Sequence, residues 1–151
     1  MKQAPEWNQI EDNLRPGRLS ASGFLGDDPR SLSEIIQTDQ IALQRLHLTD
    51  QAVAARLRTL TDAAKSGLGK PVLVERHYEV VVEDFMGQIP CPFRDNLRAD
   101  KRLTTLRNLK ANRILRWSDL NIHLIEKHGF YEGVGSPFRL DPDVVSELLF
   151  D

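Results

Sequence analysis

The stretch from residue 71 to residue 85, PVLVERHYEVVVEDF, decides the fold. Upstream of Pro71 apolar residues recur every three or four positions. From Pro71 onward β-branched and aromatic residues crowd together and the period falls to two. Tyr78, Val80 and Val82 point one way and Glu79, Val81 and Glu83 the other, the alternation of a strand with one buried face. VLV at 72–74 reads as a short strand before it.

Downstream, Gly87 ends the run and IPCPF (89–93) reads as a short extended piece held by Pro90 and Pro92. LTTLRNL (103–109), KANR (110–113) and ILRW (114–117) predict a β-hairpin. Ser118 or Asp119 then caps a helix running through His128, with Gly129 in the terminating position. After the glycine-punctuated loop GFYEGVGSPFR (129–139), Asp141 and Pro142 open a short closing helix with Val144, Val145, Leu148 and Leu149 on its apolar side.

Upstream, Ser31 and Glu34 form a capping box. Leu32, Ile35, Ile36, Leu43 and Leu46 recur at helical spacing behind it, with Asp39 the one polar interruption, giving a helix over 32–46. Thr49 caps a second helix with the stripe Val53, Leu57, Leu60 and Ala64, stopped by Gly67 as a left-handed cap. Residues 1–30 hold Pro5, Pro16, Gly17, Gly23, Gly26 and Pro29 without a sustained apolar period, and predict an irregular arm touching the domain through Trp7, Phe24 and Leu25. The expected architecture is therefore α+β. It has an N-terminal arm over 1–30 and a single domain over 31–151: a helical hairpin, a small antiparallel sheet of three or four strands, the helix carrying His123 and His128, and a short C-terminal helix.

The chain has 151 residues, 40% hydrophobic and 28% charged, which suits one soluble domain. One cysteine excludes an internal disulfide, and no run approaches the roughly 18 apolar residues of a membrane helix. The N-terminal MKQAPEWNQIEDNLRPG lacks the apolar stretch of a signal peptide, so the expected location is cytoplasmic, with no membrane partner. A net charge of −2 announces no polyanionic partner for the molecule as a whole.

Chemistry concentrates at Cys91, His123 and His128, because thiolate and imidazole are ligands that zinc prefers. The fourth ligand would be Asp95 or His77, or a water. Two histidines five apart stand about 140° apart around a helix, so convergence on one ion calls for unwinding of the last turn, next to Gly129. The hairpin followed by a helix with paired histidines resembles the ββα layout of a Cys2His2 zinc finger over residues 91–129. It departs from that pattern with Arg94 where a second cysteine would stand, and with 31 residues between Cys91 and His123. The plainer reading makes His128 a core histidine among Trp117, Leu120, Leu124 and Ile125, and Cys91 a small apolar residue.

Two alternatives use other chemistry. The string from His123 to His128, HLIEKH, is similar to the inverted metalloprotease motif H-x-x-E-H with one extra residue. Peptide deformylases combine a cysteine with H-E-x-x-H, whereas Glu126 does not adjoin His123. In this metal-dependent hydrolase reading Glu126 or Glu132 handles protons and the loop 130–139 forms the substrate wall. The other alternative is nucleic-acid binding: residues 94–116 carry a local net charge of +6. There Arg98, Lys101, Arg102, Arg107, Lys110 and Arg113 would track phosphates while Trp117 stacks on a base. LHLTDQAVAARLRTL (46–60) has the rhythm of a helix-turn-helix start, but Ser66-Gly67-Leu68-Gly69 leads into strand rather than a recognition helix. The same helical pair, if its stripe stays partly exposed, offers a homodimer surface. The sequence thus predicts a small binding or regulatory protein of unidentified ligand with a structural zinc site and no recognisable catalytic constellation.

Overall fold

The computed structural model describes residues 3–17 and 23–150. Five α-helices and a four-stranded antiparallel sheet make an α+β fold. In chain order they are α1 (Pro5–Leu14), α2 (Leu32–Arg45), α3 (Asp50–Ala64), β1 (Val72–Val74), β2 (Tyr78–Pro90), β3 (Arg98–Asn108), β4 (Arg113–Ser118), α4 (Asp119–His128) and α5 (Pro142–Leu149). Among the described residues no helix is long and apolar enough to cross a membrane.

The sheet is a meander in the order β1-β2-β3-β4. Tyr78, Val80 and Val82 stand opposite Asn108, Leu106 and Thr104, and this face is buried. The α3 stripe of Val53, Leu57, Leu60 and Ala64 packs against it together with Ile122 and Ile125 of α4 and Val145 and Leu148 of α5. Trp117 is fully buried there, its indole N–H donating to Thr61 Oγ1 at 2.8 Å. The carbonyl of Leu148, near the end of α5, accepts from both Tyr78 Oη and Asn108 Nδ2 at 3.0 Å, so an orphan carbonyl of that helix end is satisfied by the sheet.

Three expectations are corrected. Gly87 does not end β2: the strand passes a bulge between Phe85 and Gln88 and continues to Pro90. Gly67 is not the left-handed stop of α3. A 3-10 turn over Lys65–Gly67 follows the helix, and Leu68 and Gly69 take the positive φ values. Nor is the arm over residues 1–30 irregular, since it holds α1; residues 1, 2 and 18–22 of it lie outside the described residues. Trp7, Ile10 and Leu14 sit three and four apart, a genuine helical stripe, and Pro5 stands at the start of the helix where its missing N–H costs nothing.

That arm belongs to a second apolar cluster of Leu14, Phe24, Leu25, Leu32, Ile35, Cys91, Ala99, Leu120, Leu124 and Phe130. α1 also supplies the opening of α2: Glu11 Oε1 accepts from the Leu32 N–H at 2.8 Å while Ser31 caps the Glu34 N–H. The Leu25 turn and the 130–140 loop meet backbone to backbone; a Cβ on Gly133 would sit 2.4 Å from the Leu25 carbonyl oxygen, so that position admits only glycine. α4 lies between the two clusters and contributes to both.

Candidate metal centre

Cys91 and Asp95 belong to the loop that turns β2 back into β3. The Cys91 N–H donates to the Leu97 carbonyl at 2.8 Å and closes the loop, with Arg94 and Asn96 at positive φ making the tight reversal. Asp95 Oδ1 accepts from the Leu97 N–H at 3.1 Å, an Asx-type bond that orients the carboxylate and leaves Oδ2 facing α4. On α4, Ser118 and Asn121 form a reciprocal capping box, and Gly129 in the left-handed conformation ends the helix immediately after His128.

His123 Nε2 lies 2.6 Å and His128 Nε2 2.8 Å from Asp95 Oδ2, and Cys91 Sγ lies 3.6 Å from His128 Nε2. All four potential ligand atoms fall within 4.8 Å of one another, a group able to hold a metal ion. The sequence expectation that α4 must unwind is corrected: it stays helical through His128, and the rings approach Asp95 from two sides with centroids 5.3 Å apart and planes at 81°. Phe93 stacks on His128 at 4.2 Å with 7° between the planes, and Trp7 of α1 meets Phe93 edge-on at 6.3 Å. The cluster is thus walled on one side by aromatic rings, with Cys91 6% exposed.

Burial pushes the Cys91 thiol up to about 12, and the hydrogen bond and negative charge of Asp95 add to this. Burial also opposes ionisation of Asp95, but hydrogen bonds from His128, the Leu97 N–H, His123 and Cys91 outweigh it and hold the carboxyl well below the usual carboxylate range. A cation beside Cys91 reverses the balance for the thiol, since metal coordination deprotonates it. With a thiolate, a carboxylate and two neutral imidazoles, a divalent ion would leave a neutral centre.

Distances bear on fit. Bonds of roughly 2.0–2.1 Å put nitrogen and oxygen ligands of a tetrahedral ion about 3.3 Å apart, with sulfur edges a little longer. The Cys91–His128 separation of 3.6 Å already matches. The two His–Asp95 contacts are shorter, so Asp95 must draw back by less than 1 Å to admit the ion. Its mounting on a seven-residue loop makes that movement local.

Other predicted site residues fall elsewhere. His77 is not near this cluster: its Nδ1 pairs with the Glu75 carbonyl at 2.7 Å before β2, about 40 Å of strand away from Cys91. Glu126 is engaged by Arg58 at 3.1 Å, and Glu132 is buried with Asn121 and Ser136, so neither carboxylate of the hydrolase reading stands among the four clustered side chains. Trp117, the proposed stacking platform, is buried in the main core and presents no ring to a base.

The basic residues do not form one track. Arg102 pairs with Asp84 and Asp119, and Arg113 with Glu147. Lys101 and Arg107 share one face of β3 while Arg98 and Arg102 take the other, and Lys110 sits in the hairpin turn. The helical stripe offered as a dimer surface is likewise consumed by the core, with Val53, Leu57, Leu60 and Ala64 at 0% exposure. Sequence reasoning missed the stacking Phe93, and it named Glu132 only as a proton carrier of the hydrolase reading, without its buried partners Asn121 and Ser136; a proline-flanked aromatic and contacts across a loop carry no periodic signal. Among known proteins, no family model, no curated protein and no solved structure matches this chain.

Proposed function

We propose that this chain is a zinc-binding module in which one structural ion, held by Cys91, Asp95, His123 and His128, fastens the loop between β2 and β3 onto α4. The observation that carries the reading is the convergence of four side-chain ligand atoms of the types zinc takes within a sphere of less than 5 Å. Four protein ligands complete a tetrahedral shell and leave no position for substrate, which favours a structural over a catalytic ion. The ligands come from two segments that would otherwise be joined at this point by the Asp95–histidine contacts and aromatic packing, so the ion would replace those contacts with a stronger cross-link. In this reading the protein acts by binding rather than by catalysis, and the ion maintains the surface that α1, the 91–97 loop and α4 build together.

Elemental analysis of untagged protein purified without chelator tests this. The expected result is close to one zinc per chain, lost in both His123→Ala and Asp95→Ala. Absence of metal from the wild-type chain, even after exposure to zinc and gel filtration, overturns the reading, as does full retention in both variants.

A further inference from the structure

Away from the Cys–Asp–His–His cluster, a cavity of about 370 Å³ opens between the sheet and the loop 130–140. Its walls are apolar: Phe85 of β2, Leu103 of β3, Leu120 of α4, Phe24 of the Leu25 turn and Phe138 of the loop. Its volume lies at the small end of the range for small-molecule sites. Asp100, Lys101 and Arg102 of β3 also belong to the lining; the first two are exposed, and the Arg102 guanidinium is already held by Asp84 and Asp119.

One ionisable group in this lining is deeply buried. Glu132 is 3% exposed and adopts φ +67°, a left-handed backbone that costs a residue with a Cβ about 1 kcal/mol or more. Oε2 accepts from Asn121 Nδ2 and Oε1 from Ser136 Oγ, both at 2.6 Å. Both donors are neutral. Arg139, whose charge acts on this carboxyl, donates to the Glu132 carbonyl and forks onto Asp39 instead of the carboxylate, and Glu132 makes no ion pair among the described residues. Burial accordingly lifts this carboxyl to about 7. A buried carboxylate held in place by two neutral donors, strained, and lining an apolar cavity lacks one thing: a cation.

We infer that this cavity binds a small apolar amine, its ammonium group on the Glu132 carboxylate and its ring or short alkyl body among Phe24, Phe85, Leu103, Leu120 and Phe138. The charge inside selects the head group, and the aromatic and aliphatic walls select the body. Anionic analogues are rejected because a second negative charge would be buried against the first. A polyamine is disfavoured because its further charges would lie against apolar walls without partners. The inference stands independently of the metal, since none of the four clustered ligands lines this cavity.

The test is a heteronuclear NMR titration of the full chain at pH 8 with phenethylamine, 2-phenylethanol and phenylacetate, which share a body and differ in the head group. Phenethylamine is expected to bind at least tenfold more tightly than the alcohol, with phenylacetate weakest and the Leu103 and Leu120 methyls shifting. In Glu132→Gln, which keeps the shape and a hydrogen-bonding head, amine and alcohol should become equal. Equal binding of amine and alcohol to the wild-type chain overturns the inference, and so does the absence of any methyl shift up to millimolar amine. The wild-type comparison decides the matter even if the variant fails to fold. Phe85→Ala, which trims a half-exposed wall, should weaken amine and alcohol alike by severalfold; an unchanged affinity would place the amine elsewhere and overturn the site.

Discussion

The two ends of the sheet are held together by different means. At the end bearing Tyr78, Leu106 and Leu115, one apolar cluster draws on α3, α4, α5 and every strand, and its few polar atoms pair with one another, as Trp117 does with Thr61. At the other end, around Ile89 and Ala99, the cluster is smaller and is built from α1, α2, the Leu25 turn and one side of α4. Polar links make up the difference there. Arg15 donates to the carbonyls of Asp28 and Arg30, Asp28 accepts from Arg30 and from the Val134 N–H, and Asp95 gathers His123 and His128. Apolar burial suffices where many segments converge, whereas the thinner end relies on directional contacts that a metal, a proton or a ligand can change.

The largest effect expected from this contrast is in the main cluster. Leu57→Ala removes a fully buried side chain from between α3 and the sheet and should cost about 3–5 kcal/mol in denaturant unfolding. Zinc or chelator should not alter that loss. A cost below about 1 kcal/mol would mean that the main cluster is loosely packed and would erase the contrast.

Next comes the metal. Stabilisation by a ligand at a hundred times its dissociation constant is about 2.7 kcal/mol, and zinc at such a level should give a gain of that order. Hydrogen exchange should locate the gain in the 91–97 loop, α1 and the C-terminal half of α4, with little change in β3–β4. Asp95→Ala should abolish the zinc-dependent part. Protection spread evenly over both ends would break the comparison.

The third effect is set by protons. Glu132 is lifted from its ordinary 4.5 to about 7, so the folded chain holds this proton more tightly than the unfolded one. Its contribution is therefore complete below about pH 4.5 and is lost as the pH climbs through about 7, on the order of 3 kcal/mol. Asn121 from α4, Ser136 and Arg139 from its own loop, and Asp100, Lys101 and Arg102 from β3 are the polar groups around it or its cavity. Glu132→Gln should flatten the difference between pH 5 and pH 8 relative to wild type. Identical pH profiles for the two proteins would show that burial does not hold the proton there.

How much was legible in the sequence follows the same division. Strand alternation from Tyr78 to Glu83, the Ser31, Thr49 and Ser118 caps and the Asp141–Pro142 start all lie in local pattern, and each appears where its spacing puts it. Cys91, His123 and His128 stood out by residue type, but Asp95 was only one of three fourth ligands, beside His77 and a water. Its selection depends on the Asx bond to Leu97 and on how the loop folds over α4, neither of which is periodic. The stripe of α1 was hidden by the prolines and glycines around it. Trp117 was read by its neighbours' charge, although its place in the alternation with Leu115 marked it as inward-facing. Asp39, the one polar residue on the α2 stripe, is paired bidentately with Arg139, one hundred positions away, which no local pattern announces.

The smallest predicted effect concerns the link between the two ends. Arg58 of α3 belongs to the well-packed side, and Glu126 of α4 lies between the two histidines of the cluster; their contact at 3.1 Å is the direct ion pair joining those helices. Arg58 is 47% exposed and Glu126 28%, so solvent screens the pair, and exposed pairs of this kind contribute roughly 0.2–1 kcal/mol. Arg58 holds the Glu126 carboxyl below its ordinary value by hydrogen bonding and charge, so whatever the pair contributes is present near neutral pH and fades as Glu126 is protonated in acid. A double-mutant cycle with Arg58→Ala and Glu126→Ala should return a coupling within that range at neutral pH, and the same value with zinc and with chelator. A coupling that grows by more than about 1 kcal/mol when zinc is added would mean that the ion stiffens all of α4. The two ends would then behave as one cooperative unit, and the division between them would describe packing alone.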